Sequence, residues 1–231
     1  MSNQKKKLYL RIMASLLAFG GVVLLTMVFY PLLSYKLTAN RKFPTLLSPV
    51  DSITTTNTGE VDYTKASNWF VGDTSAKFDE SNISYYTMSV PKLGIKSASV
   101  AIGGEDLTKY LIQYPGTALP GKRGNVAIFG HSTLPSFYDP EEYISIFSTL
   151  SQLDTGDDIK LYYDGIEYTY RVENLIEVSP TDIQILEQNV SDSFLSLITC
   201  TPPGDPRKPR RLIVRARIVP LGENRNENNW D

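Results

Sequence analysis

One cysteine and one histidine, Cys200 and His131, occur in 231 residues. A lone thiol forms no internal disulfide, so stability has to come from packing. One Cys and one His also fall short of the four ligands of a structural zinc site, and neither a metal nor a cofactor is expected. Outside the N-terminus acids outnumber bases. Residues 1–33 hold Lys5, Lys6, Lys7 and Arg11 and no acid, which leaves 19 of the 23 bases against all 25 acids in the remainder. That balance lacks the basic face that engages phosphates, so nucleic acid is not an expected partner. Internal repeats, a P-loop and a dinucleotide-binding fingerprint are missing too.

The apolar and charged fractions, 42% and 21%, are those of a globular protein, and the length allows an anchor plus one domain. Ile12–Leu33 carries no charge over 22 residues, which at about 1.5 Å per residue spans the roughly 30 Å hydrocarbon core of a bilayer. Backbone groups in that core must be satisfied locally, so the run is expected to be a transmembrane helix. A cleaved signal peptide would need a small-x-small site after it, and Leu37-Thr38-Ala39 puts a bulky residue first. The basic residues of 1–11 make that stretch a cytoplasmic tail, with the body of the protein exported and the whole held at the cell membrane. Residues 34–84 are polar and turn-forming around Ser48-Pro49 and Thr54–Gly59, as in an extracytoplasmic stalk or linker, although Tyr63, Trp69, Phe70 and Phe78 interrupt it. A folded domain is expected over 85–220 and a polar tail over 221–231, with no second apolar span.

Within 85–220 the patterning is that of short strands. Tyr86–Val90, Ala98–Ile102, Val126–Phe129, Phe194–Thr199 and Leu212–Ile218 alternate or run apolar. Ile159–Tyr163 and Ile166–Val172 alternate around Asp164-Gly165, a pair suited to a type I′ hairpin. Leu107, Tyr110, Leu111 and Tyr114 recur at helical spacing, Glu141–Leu153 reads as one or two helices, and Pro180–Glu187 as a short helical crossover. Seven or eight strands with small helices predict a mainly β fold, a barrel or sandwich with short helical insertions.

Cys200 ends one apolar run, His131 follows another, and Arg210-Arg211 opens the last. A thiolate is the strongest ordinary side-chain nucleophile, and an imidazolium beside it would stabilise it and protonate a leaving amine. A guanidinium would neutralise the oxyanion of an acyl-transfer intermediate. Singly, each has a bland reading: a buried small hydrophobe, a hydrogen-bonded structural histidine, and a solvated strand arginine like Arg215 and Arg217.

Their surroundings are more specific. Leu197-Ile198-Thr199-Cys200 resembles the Thr-Leu-x-Thr-Cys signature of sortases, and Arg211-Leu212-Ile213-Val214 resembles the arginine-bearing strand that follows it. Tyr114–Gly121 and Gly124–His131 look like the segment leading to that family's histidine, nearest in appearance to classes D and E. The resemblance covers about residues 85–220 and implies an eight-stranded sortase β-barrel behind a membrane anchor. It makes Cys200 the nucleophile, His131 the general acid/base, Arg211 the oxyanion and backbone holder, and Thr199 a substrate-side contact. It implies transpeptidation: cleavage of exported proteins between Thr and Gly of a C-terminal Leu-Pro-x-Thr-Gly-like or Leu-Ala-x-Thr-Gly-like signal, through a thioacyl-enzyme. Transfer follows to an amine such as a peptidoglycan precursor. Ser196 and Ser132 depart from the usual motif residues. The second C-terminal span and Asp-Pro-aromatic lid of pilus-polymerising sortases are not apparent; Asp139-Pro140 lies after the histidine and reads as a helix-start turn, and residues 60–80 fit a lid or a stalk. Two alternatives stay open, a membrane-anchored cysteine peptidase that uses water and a non-catalytic surface-binding β-domain. An L,D-transpeptidase would show Ser-His-Gly-Cys around its thiol.

Overall fold

A computed structural model of the chain describes residues 3–42, 62–70, 77–79, 81 and 83–220. The tail expected over 221–231 and residues 43–61 of the expected stalk lie outside them. A helix, α1 (Asn3–Lys42), comes first. Eight strands follow: β1 (Ser84–Val90), β2 (Ile95–Ile102), β3 (Leu111–Gln113), β4 (Gly124–Phe129), β5 (Asp158–Tyr163), β6 (Ile166–Val178), β7 (Ser193–Thr201) and β8 (Arg210–Ile218). They close into a barrel in the order β1-β2-β3-β4-β7-β8-β6-β5. Pairing is antiparallel except for β2 with β3 and β4 with β7.

The β5–β6 hairpin forms as its turn chemistry predicts. Asp164 (φ 50°) and Gly165 (φ 76°) take the two positive-φ positions, and Tyr163 pairs with Ile166 directly behind them. The strands expected at Tyr86–Val90, Ala98–Ile102, Val126–Phe129, Phe194–Thr199 and Leu212–Ile218 also form, and they lie between two apolar layers. Met88, Val100, Leu111, Ile128, Leu197 and Val214 fill one buried cluster. Ile112, Ala127, Phe129, Ile198 and Ile213 of alternate parity form a second one on the opposite face. All residues of β4 and β7 are therefore buried, and their sequences read as continuous apolar runs rather than alternation.

Two expected helices are absent. Leu111 and Ile112 sit in different clusters because β3 is buried on both faces, so the spacing from Leu107 to Tyr114 that mimicked a helix belongs to a turn and a strand. Over Glu141–Leu153 the chain makes turns and one 3₁₀ segment, Leu150–Gln152. Ser145 Oγ accepts from Asp139 N (3.0 Å) and donates to Asp139 O (3.1 Å), a local side-chain bond that competes with helical pairing. The crossover at Pro180–Glu187 does contain a 3₁₀ turn, Ile183–Leu186.

The stretch Lys6–Met27 of α1 is long and apolar enough to cross a membrane, as membrane anchors and signal sequences are. Its large apolar side chains are exposed, Leu17, Phe19 and Leu24 among them. The helix continues past the expected boundary at Leu33 to Lys42, where it reaches the barrel.

Candidate active site

The parallel pairing of β4 and β7 builds the site. Its last register pair is Phe129 with Ile198. Beyond it, Gly130 N donates to Ile198 O (3.1 Å), Thr199 Oγ1 to Gly130 O (2.8 Å) and Ser132 Oγ to Cys200 O (2.7 Å). These bonds carry the register one turn of chain further and bring His131 to the end of β7 that holds Cys200. Gly130 makes the approach feasible: a Cβ there would lie 2.5 Å from Phe147 Cδ2 and 2.6 Å from Leu111 Cδ2. Across the antiparallel β7–β8 pair, Cys200 stands opposite Arg211. Cys200 and Ile213 face the outer apolar cluster. Thr199 is buried and its hydroxyl is committed to the Gly130 carbonyl.

Part of the expected stalk lies over this site. Lys65 bridges to Asp106, Ala66 N donates to Glu105 O (3.0 Å), and Leu107 N donates to Thr64 O (2.9 Å). Trp69, 0% exposed, packs edge-on to Phe129 at 5.4 Å and lies 5.8 Å from the His131 ring. Its carbonyl accepts from both Arg211 Nε (3.1 Å) and Nη2 (2.9 Å). Arg211 Nη1 goes to the carbonyls of Lys208 (2.9 Å) and Arg210 (3.1 Å), and the side chain is 1% exposed. Lys208 Nζ sits 4.7 Å from the centre of the Tyr63 ring. Residues 62–70 thus form a cover, although the Asp-Pro-aromatic pattern is absent. Tyr63, Trp69 and Phe70, aromatics stranded in a polar stretch, were its sequence signal.

Burial sets the charge state beneath the cover. His131 is 4% exposed, and among the described residues its Nε2 has no hydrogen-bond partner. Burial first, then the nearby Lys208 charge, lowers its pKa to about 4, against weaker opposing effects of Asp106 and Asp62. Burial pushes the Cys200 thiol up, and the charges of Arg211 and Lys208 pull it partly back. Covered, both groups are neutral at pH 7. Lys208 is a cation of this site that no motif pointed to, placed by a loop residue with φ 46°.

Residues 88–219 match the Sortase domain family model, more than half of the chain. The chain belongs to the sortase family. Sortase A of Streptococcus agalactiae serotype III (strain NEM316) is 31% identical over 78 residues, 34% of this chain and 30% of that protein. Sortase A of Bacillus anthracis is 32% identical over 97 residues, 42% of this chain and 41% of that protein. The aligned stretches span less than half of either curated relative. A solved sortase A from Corynebacterium diphtheriae, a lid mutant, superposes with a TM-score of 0.53 at 26% identity, covering 63% of this chain and 76% of that one. Solved relatives carry the names sortase A, C and D. The expected eight-stranded sortase barrel is therefore the fold, preceded by an apolar helix.

Proposed function

We propose that this sortase is a membrane-anchored transpeptidase of class D/E character in which Cys200, His131 and Arg211 do the chemistry. What carries the reading is their convergence at one strand end, with Arg211 opposite Cys200 in register and His131 delivered by β4. Cys200 Sγ passes its proton to His131 and attacks the Thr carbonyl carbon of a Leu-Pro-x-Thr-Gly-like or Leu-Ala-x-Thr-Gly-like signal. Arg211 holds the developing oxyanion with the two donors that now face the Trp69 carbonyl. The C–N bond breaks as His131 protonates the departing Gly amine, leaving a thioester. An incoming amine, such as that of a peptidoglycan precursor, gives its proton to His131 and attacks the thioester, and the Cys200 thiol is restored. Thr199 supports this by tying β7 to β4, and α1 holds the domain at the membrane with its N-terminus cytoplasmic.

Full chain in detergent, given a signal peptide and an amine, is expected to release the Gly fragment and form the ligated product. Cys200→Ala, His131→Ala and Arg211→Ala should each abolish it while circular dichroism stays unchanged. Cleavage by Cys200→Ala would refute the mechanism. Release without ligation at saturating amine would identify a peptidase instead.

A further inference from the structure

Glu177, on β6, is a carboxylate only 6% exposed that the chemistry above does not use. Its oxygens collect three groups. Oε1 accepts from Tyr35 Oη (2.5 Å) and from Thr201 Oγ1 (3.3 Å), and Oε2 lies 3.6 Å from Arg210 Nη1. Thr201 follows Cys200, and Arg210 precedes Arg211 and also accepts from its guanidinium through the backbone. Thr201 and Arg210 are themselves register partners. One buried carboxylate therefore binds the residue next to the nucleophile and the residue next to the oxyanion holder.

The third group comes from outside the barrel. Tyr35 lies on α1, eight residues beyond Met27, about 12 Å along the helix axis. Seven residues further, Lys42 Nζ makes a second contact, with Asp154 (2.9 Å) and the Ser151 carbonyl (3.0 Å). Positions seven apart share a helix face, so α1 presents one face to the barrel end. The Lys42 pair is exposed on both sides and adds little. The Tyr35 contact differs, because a buried carboxylate that loses a partner is left under-solvated and its strand ends lose a fixed point.

We infer that Glu177 is a positioning residue for Cys200 and Arg211, and that Tyr35 of α1 completes it. The helix is then a structural part of the active site as well as a tether. The inference rests on the assignment of Cys200 and Arg211 above.

The test uses full chain in detergent or lipid vesicles. Tyr35→Phe removes one hydroxyl and Glu177→Gln keeps the shape while removing the charge. Each is expected to lower kcat about tenfold with KM unchanged, the effect of a small misplacement of reacting groups. Unchanged kcat in both variants would overturn the inference, as would a kcat that falls only with the folded fraction seen by circular dichroism. A second measurement needs no peptide chemistry: a benzoylphenylalanine photo-crosslinker at position 35 in a Cys200→Ala chain. Crosslinks to residues around Glu177 and Thr201 are expected, and their absence from the barrel would also overturn the inference. Failure of the wild-type chain to form a thioester would instead sink the transpeptidase assignment and leave the crosslink result standing.

Discussion

Trp69→Ala should expose the thiol without unfolding the barrel. A fully buried Trp side chain removes about 150–250 Å² from water, about 4–6 kcal/mol as an upper figure, and truncating a buried Trp to Ala costs about 3–5 kcal/mol. Trp69 lies outside the eight strands, in a segment held to the barrel by the Lys65–Asp106 bridge, a few backbone bonds, the Arg211 contacts and its own packing on Phe129, so that cost falls first on the cover. The Arg211 contacts use the Trp69 carbonyl and survive the substitution in kind. Taking about 3 kcal/mol, the ratio of covered to open chain drops by about two orders of magnitude. Cys200 is the only thiol, so its alkylation by iodoacetamide, followed by intact mass, reads the open fraction without background. The variant should react about 10–100-fold faster than wild type at pH 7.5, with its melting temperature little changed. An unchanged alkylation rate in a folded variant would refute the role of 62–70 as a cover. A melting temperature that falls as for a barrel core residue would show that Trp69 is part of the domain proper.

Acid should weaken the covered state. His131 titrates at about 4 in place, against an ordinary 6.5. A depressed imidazole favours the folded form fully above pH 6.5, and that advantage is lost as pH falls towards 4. From pH 7 to pH 5 the loss is about 2 kcal/mol, measurable by urea unfolding against a His131→Asn control that should lack it. A wild-type chain that gained stability relative to the control over that interval would contradict the assignment. Gly130→Ala should cost about 1–3 kcal/mol, because its Cβ meets Phe147 and Leu111 well inside contact distance. It should also reduce transpeptidation by displacing His131, and a variant with wild-type melting and activity would show that the backbone there yields freely.

Legibility followed the physics of each element. The β5–β6 hairpin was readable because Asp164-Gly165 has few other uses and its flanking strands alternate. The β3 strand was not, because three residues buried on both faces leave no period to read. Cys200, His131 and Arg211 stood out through local context, yet only pairing brings them together: a parallel β4–β7 register and an antiparallel β7–β8 register join segments about 70 and 10 residues apart. The cover was half visible as aromatics in a polar stretch. Its decisive contact is a backbone carbonyl on Arg211, and any residue type could supply that group. The Glu177 cluster was invisible for a similar reason, since a lone Glu in a strand pattern does not announce a tyrosine 142 positions earlier.

The cover does more than block entry. Burial is the first cause of both shifts, raising the thiol and lowering the imidazole, and both keep the pair neutral. Were 62–70 displaced, water would reach the site and burial would weaken, while Arg211 lies on β8 and Lys208 in the preceding loop, both outside that segment. Those two cations already favour the thiolate, so the Cys200 pKa would fall. Without the same burial the His131 pKa rises, although Asp62 departs with the cover and Lys208 still opposes protonation. The two values move towards each other, which is the direction a thiolate–imidazolium pair requires. The same displacement frees Nε and Nη2 of Arg211 from the Trp69 carbonyl. On the roles proposed above for Cys200 and Arg211, uncovering would raise accessibility, nucleophile ionisation and oxyanion-donor availability in one step, and activity should climb more steeply than thiol exposure alone when the cover is weakened.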